Sequence, residues 1–369
     1  MSDSADVSAT PPGSERWSRE LADRVNSPTV GDGTVFVGSG RSGEVYGIDV
    51  ETGENEWVYE IDLGLYSSPT VADDTVYVGG DDLYALEAGS GDEFWVFETD
   101  NIVRSVPTVT EMTVYVGCND DTIYAVNRLT GTERWTFETE SSVTSSPTVA
   151  DGVVYVGSGD NHLYALDAKT GDLQWAFETG ESVDASPTVS DGTVYVGSTD
   201  HKLYALDADS GQETWALDTG DSVGASPAVK EGTVYVGSFG RGLYAVDVAT
   251  GEVEWCFRTK ASEISAPTVA DGTVYCGSYD DGLVAVDTDT GEEEWRFQTD
   301  RVVHSSPNVD GETVFVGYDD SLYAISAGPS GTPDGSRTGQ DAGVCEGCGE
   351  DLEVLSVTPA YCPFCGTEQ

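Results

Sequence analysis

Short apolar runs rich in Val, Tyr and Leu recur along the chain, separated by Asp-Gly, Thr-Gly and Ser-Gly turns. The clearest unit, Ser146 to Gly180, reads SPTVADGVVYVGSGDNHLYALDAKTGDLQWAFETG. It parses into four strands: S-P-T-V, V-V-Y-V-G, L-Y-A-L-D and Q-W-A-F-E. Proline opens the first strand, where a missing N–H is least costly. Asp151-Gly152 then suits a two-residue hairpin, whose backbone demands positive φ. Four short strands within about forty residues predict one blade of a β-propeller.

Two ladders give the blade count. The tryptophans Trp17, Trp57, Trp95, Trp135, Trp175, Trp215, Trp255 and Trp295 are spaced by 40, 38 and then 40 residues five times. Eight prolines, from Pro28 to Pro307, keep the same period, mostly within S-P-T-V. Two independent markers on one period define a repeat fold. The last unit, from Ser306, ends after its third strand, whereas Trp17 precedes the first S-P-T-V. The N-terminal strand is therefore expected to complete the last blade and close the ring without an open edge. The predicted fold is all-β: an eight-bladed propeller of four-stranded antiparallel blades over 15–326. A disordered tail is expected over 1–14.

Charge alters the functional picture more than the fold. The chain has 67 acidic residues against 16 Lys plus Arg, a net charge of −51. Such a surface repels nucleic-acid phosphates and anionic lipid, so neither nucleic acid nor membrane is an expected partner. The acids lie among regularly spaced strands rather than in blocks, so they do not signal disorder. This composition, with only four lysines, resembles that of proteins from halophilic archaea, where molar salt screens self-repulsion over about 3 Å. There is no apolar run long enough to span a bilayer. The first residues show neither a basic n-region nor an apolar h-region, which predicts a cytoplasmic protein.

The turn into each fourth strand reads A-x-D-x-x-T-G-x-x-x-W, as in ALDAKTGDLQW, AVDVATGEVEW and AVDTDTGEEEW. This resembles the tryptophan-docking motif of the pyrroloquinoline-quinone-like β-propellers, with variants at 47–57, 85–95, 125–135 and 205–215. The resemblance implies that each Trp wedges between adjacent blades as a structural docking residue. It also raises two functional classes. Family enzymes hold the quinone in the channel against a Trp floor, often beneath a disulfide between adjacent cysteines. Here every Trp is committed to a blade position and no two cysteines are adjacent. Cys118, Cys256 and Cys276 read as small apolar fillers. Asn26, Asp184 and Asn308 could line the channel but form no cation site by themselves. The non-enzymatic branch, which includes an outer-membrane assembly scaffold, is the closer resemblance. The expectation is a non-catalytic, monomeric protein-binding scaffold without the quinone. The alternatives are a quinone- or metal-dependent oxidoreductase using the channel, and a small-ligand sensor.

A partner face is sought where the repeat is least uniform. Three residues before the ladder prolines stand Val25, Tyr66, Arg104, Thr144, Asp184, Gly224, Ile264 and His304. The same loops carry Arg24, Arg41, Arg241, Lys260 and Arg301, expected to gather on blades six to eight and one. On so acidic a chain this half-ring is the expected seat of an acidic partner. His162 and His201 share a loop class but no metal-binding spacing, and read as solvated residues. There is no nucleophile elbow, Walker loop or H-E-x-x-H.

Beyond Ser326, the stretch 327–343 is rich in Gly, Ser, Thr and Pro, the composition of a flexible linker. In 344–369, Cys345 and Cys348 form one C-x2-C pair and Cys362 and Cys365 a second. Four thiolates in two such knuckles predict a zinc ribbon with a structural, closed Zn²⁺ site. Binding the metal would supply the folding energy of so small a unit.

Overall fold

The computed structural model describes residues 10–259, 264–278, 282–299, 303 and 305–328. These residues form eight four-stranded antiparallel sheets. In the fourth blade the strands are Thr148–Ala150, Val153–Gly157, His162–Asp167 and Leu173–Glu178, from the inside outwards. The eighth blade pairs Glu15–Glu20 with Ser321–Ser326, Thr313–Tyr318 and Asn308–Asp310. The N-terminal strand thus closes the ring as the repeat predicts. Among the described residues no helix is long and apolar enough to cross a membrane. The ribbon cysteines Cys345, Cys348, Cys362 and Cys365, and most of the linker, lie outside the described residues.

The core is a chain of inter-blade layers rather than one central mass. One layer packs Tyr155, Leu163 and Ala165 of blade four against Val183, Val194, Val196 and Leu206 of the blade-five side. Both faces of the middle strands are covered, so strands such as VVYVG read as nearly continuous apolar runs. Only the fourth, rim strand alternates exposed and covered residues, as in LQWAFE.

Each seam is fastened at its outer edge by an indole. Trp175 packs its ring beside Tyr155 of its own blade, tilted by 46° with centroids 5.8 Å apart. Its Nε1 donates to the carbonyl of Ala208 in the next blade at 2.9 Å. The same bond runs from Trp17 to Val50, Trp57 to Ala88, Trp95 to Arg128, Trp135 to Ala168, Trp215 to Val248 and Trp255 to Thr288. The indole face rests on the glycine of the next T-G turn. A Cβ on Gly171 would lie 2.7 Å from Trp135, and one on Gly211 would lie 2.6 Å from Trp175. These glycines also have φ of +77° and +68°. Glycine is thus required twice over, for the left-handed turn and for the approach of the ring.

The turn Asp gives the motif its remaining letters. In the turn after the third strand, Asp167 Oδ1 accepts from the amides of Lys169 and Thr170 and from the Thr170 hydroxyl. These bonds to the ionised form hold the carboxyl below its ordinary range, as they do for Asp49, Asp207 and Asp247.

A second ring runs around the inner edge, and it explains S-P-T. The amide of Ser146 donates to the Ser186 hydroxyl, and that of Ser186 to the Ser226 hydroxyl. The hydroxyl of Thr148 donates to the Pro187 carbonyl, and that of Thr188 to the Pro227 carbonyl. The bond from Ser306 N to Ser27 Oγ, at 2.8 Å, joins the last blade to the first. Inner-strand edges are thereby satisfied between blades without a continuous ladder.

The expected boundary at residue 15 needs correction. Thr10 to Ser14 belong to the ring: Gly13 N donates to Ser326 O, Ser326 N to Ser14 O, and Ser326 Oγ to Thr10 O. Gly13, φ +73°, sits on Trp295 as the other turn glycines sit on theirs. It stands four residues before Trp17, so G-S-E-R-W is the second half of the docking motif, split from its first half by closure. Three hydrogen bonds at about 1 kcal/mol each set the scale of this contribution. Deleting 1–14 is therefore expected to lower stability by about 2–4 kcal/mol, whereas deleting 1–9 leaves the urea midpoint unchanged. Equal midpoints for the two truncations would remove Gly13 from the closure.

Candidate functional site

In such a blade the turns between strands one and two, and three and four, leave one face. The loops between strands two and three, and between blades, leave the other. The second set builds the candidate site. A cavity of about 520 Å³ opens there, lined by Asp23, Arg24, Asn26, Gly40, Arg41, Leu65, Tyr66 and Arg104. Four of the predicted face residues, Arg24, Arg41, Tyr66 and Arg104, are thus brought together. They come from four loops: the three interblade loops from the eighth blade to the third, and the loop between strands two and three of blade one.

The backbone of this site is held by one carboxylate. Asp23 Oδ1 accepts from Arg24 N at 2.8 Å and Oδ2 from Arg41 N at 2.9 Å. Gly40 N donates to Arg24 O, and Leu65 N to Gly40 O, each at 2.7 Å. Asp23 therefore fixes the two arginine-bearing loops to each other through their amides. The Arg104 guanidinium lies over the Tyr66 ring, 5.6 Å from its centroid. Arg24, Arg41 and Arg104 are exposed, and none makes an ion pair with a described residue. Asn26 is committed elsewhere, donating Nδ2 to Ser67 O at 2.9 Å. Three guanidiniums and an aromatic face around one concavity can bind planar oxyanions, carboxylates above all, by paired hydrogen bonds.

The other predicted face residues fall elsewhere. Asp184 accepts from Thr144 at 3.3 Å and from Ser182 at 3.0 Å, and it lines a separate cavity of about 400 Å³ with Gly224, Phe239, Ile264 and Ser306. Arg241 donates to Gly220 O at 3.3 Å in the interblade loop before its own blade. Lys260, Arg301 and His304 lie outside the described residues. Of the cations expected to gather on blades six to eight and one, the described cluster contains Arg24 and Arg41, and it extends through Tyr66 and Arg104 to the loop before blade three. Val25 and Ile264 are also not face residues, being 2% and 5% exposed. Each fills the slot taken elsewhere by the valine four before the proline, such as Val143 against Gly117 or Val183 against Gly157. From the buried residue to the proline they read V-N-S-P and I-S-A-P, one residue shorter than V-T-S-S-P. Only the first is a true deletion, Pro28 lying 11 residues after Trp17 where the other seams have 12, Trp255 to Pro267 included; counting back from proline passes over both shifts.

Cys118 is buried in the apolar layer with Val103, Val114 and Val116, and it also makes a polar contact. Its thiol donates to Asn101 O at 3.1 Å, in the way Ser158 Oγ donates to Ser141 O and Ser198 Oγ to Glu181 O. It replaces the serine after V-G and is a core filler that also serves as a donor. Cys276 stands at the preceding apolar position and is buried. His162 stacks on Tyr164, and its Nδ1 lies 3.0 Å from Asp160 O. Among the described residues no three His, Cys, Asp or Glu side chains converge as metal ligands.

Fold and site together define a closed eight-bladed propeller with glycine–tryptophan seams and a cationic pocket on its loop face. The chain belongs to the family described as the outer membrane protein assembly factor BamB, whose sequence profile matches residues 3–101, 79–223 and 200–331. No curated protein sequence matches it. Among solved structures, the computationally designed Ika8 protein is 19% identical with a TM-score of 0.77, the match covering 85% of this chain and 99% of that one. BamB from Moraxella catarrhalis is 20% identical with a TM-score of 0.74, over 85% and 99% of the two chains. Quinohemoprotein alcohol dehydrogenase from Comamonas testosteroni is 18% identical with a TM-score of 0.72, over 89% and 78%. At these identities the likeness is one of fold.

Burial pushes the Cys118 thiol up to about 12 and the Cys256 thiol up to about 11. Both lie above the ordinary thiol value, so any stability they contribute is present below about pH 9 and is lost as pH rises through the folded values. At pH 8 native protein is expected to alkylate at these two cysteines more than tenfold slower than unfolded protein, by peptide mass spectrometry with iodoacetamide. Equal rates would show the thiols to be open.

Proposed function

We propose that this chain is a non-catalytic interaction scaffold that holds an acidic protein partner on the loop face of its propeller. The cavity formed by Arg24, Arg41, Arg104 and Tyr66 carries this reading. On a chain with 67 acids and 16 Lys plus Arg, three guanidiniums without an ion pair to a described residue are costly to gather unless they meet a ligand's anions. Carboxylates on a partner segment would engage the arginines bidentately, and the Tyr66 ring would pack against its apolar portion. The family description, an assembly factor, and the solved structure of a BamB accord with a scaffold. The eight tryptophans all serve the seams, so none is left to form a floor for a quinone, and the proposal includes no quinone cofactor.

The scaffold acts in the cytoplasm as a monomer. The segment 344–369 is a zinc ribbon in which Cys345, Cys348, Cys362 and Cys365 hold one structural Zn²⁺ as a second contact element on a flexible tether. The acidic surface suits molar salt, as in halophilic organisms. Elemental analysis of protein purified in molar KCl is expected to give one zinc per chain, lost in Cys345→Ser with the propeller's melting unchanged. Full zinc retention in that variant would remove the ribbon.

The partner face is tested by charge reversal. Affinity capture from cells that express the chain is expected to lose its main partner at least tenfold in Arg24→Glu/Arg41→Glu/Arg104→Glu, with Arg241→Glu unchanged. Retention by the triple variant would overturn the reading.

A further inference from the structure

The opposite face holds a second site, and the chain contains a pattern for its ligand. At the seam between blades two and three, Arg128 occupies the groove beside the docking tryptophan. Its Nε donates to the Tyr77 hydroxyl at 3.0 Å, its Nη2 to the Ala72 carbonyl at 2.9 Å, and Nη2 also meets the Asp73 carboxylate. The side chain is only 12% exposed. Three acceptors thus define a guanidinium seat: the second-strand tyrosine, the last carbonyl of the first strand, and the acid of the hairpin turn.

The repeat reproduces that seat at other seams. Between blades six and seven the equivalent residues are Tyr235, Lys230 and Glu231. The Arg128 position is Thr288, since Trp255 donates to Thr288 O as Trp95 donates to Arg128 O. With the long side chain gone, the groove is a cavity of about 760 Å³. Its lining includes the acidic residues Glu231, Asp247, Glu252, Glu254, Asp271 and Asp289, together with Lys230. Asp247 caps its own turn and Glu254 accepts from Thr233, which leaves Glu231, Glu252, Asp271 and Asp289 as the other acids of the trough. Between blades seven and eight the acceptors become Tyr275, Ala270 and Asp271, with Ala327 at the Arg128 position, and the cavity is about 600 Å³. The two cavities share Glu231, Asp271, Gly272, Thr288 and Asp289, so they form one trough with two seats. Not every seam is organised this way. In seams three–four and four–five the tyrosine hydroxyl donates across to Ala168 O at 2.8 Å and to Ala208 O at 3.2 Å. The carboxylates of Glu254, Asp289 and Glu231 also help to hold the Tyr235 hydroxyl protonated, although burial is the larger cause.

We propose that the trough across blades six to eight is a docking site for arginine side chains of a basic partner segment, each guanidinium taking the seat that Arg128 fills within the chain. The site is independent of the cationic pocket, lies on the other face, and selects the opposite charge. Arginine fits better than lysine because three acceptors around one planar group match its fork of donors.

The test uses the full chain in molar KCl, the peptide acetyl-Gly-Arg-Gly-amide as probe, and the same peptide with citrulline as the neutral isostere. Amide NMR shifts are expected to move around Glu231, Tyr235, Asp271 and Asp289 with the arginine peptide only. Thr288→Arg should fill the first seat in cis and weaken binding there at least tenfold. Glu231→Gln/Asp271→Asn should do the same without adding a side chain. Arg128→Ala should create a further site, seen as new shifts around Asp73 and Tyr77. Shifts spread over the acidic surface, equal response to citrulline, or no effect of the groove variants would overturn the proposal. So would binding that appears only after Arg337→Gln, which would give the seat to the chain's own linker.

Discussion

The contact on which the structure depends is an indole lying flat on the glycine of the neighbouring blade's turn. A single added methyl group there would enter the ring at 2.5–3.0 Å in every one of the eight seams. Each seam therefore has one available geometry, and eight repetitions of one angle close a circle. The hydrogen bond from Nε1 sets the slide of one blade on the next, and the serine and threonine ring sets the inner radius. The tyrosine or phenylalanine beside each Trp, 5.7–6.0 Å away, fills the space between these two fastenings.

Because the fastenings lie at the channel wall and in the glycine turns between strands three and four, the loops between strands two and three carry little of the fold, as do the side chains that flank the glycine turns. They are free to differ, and they differ in opposite directions. One face gathers Arg24, Arg41 and Arg104 around Tyr66. The other gathers acidic residues in the grooves of blades six to eight, and Arg128 fills the corresponding groove between blades two and three from within. In molar salt, fields beyond about 3 Å are screened. Recognition on such a chain must then rest on direct paired contacts, which arginine forks and preformed acceptor seats supply better than broad surface charge.

Much of this was legible in the residues. The Trp and Pro ladders count the blades and predict the closing strand because both mark positions of fixed geometry. The role of the Pro neighbours in S-P-T was not legible, since their hydrogen bonds link residues about forty apart and no local pattern requires them. Gly13 escaped notice because closure separates it from the Asp-x-x-Thr half of its motif. At Val25, where the loop is one residue short, and at Ile264, where it is not, the buried residue stands three rather than four before the proline, which shifted the register of the face by one residue. The cationic pocket was readable as a set of residues but not as a place: Asp23 ties the Arg24 and Arg41 loops, Leu65 N bonds the next loop to Gly40 O, and Arg104 lies over Tyr66, all contacts between loops distant in sequence. Arg128 carries no sequence signal beyond being an Arg where other repeats have Ala, Val or Thr.

The central claim, that the Arg24, Arg41, Arg104 and Tyr66 pocket is where the partner sits, is tested most directly by photo-crosslinking within cells. A photoreactive phenylalanine analogue placed at Tyr66 should yield one dominant adduct, joined to an acidic segment of one protein. The same analogue at Lys169, in an exposed turn of the opposite face, should not yield that adduct. No adduct from position 66, or the same adducts from both positions, would contradict the account.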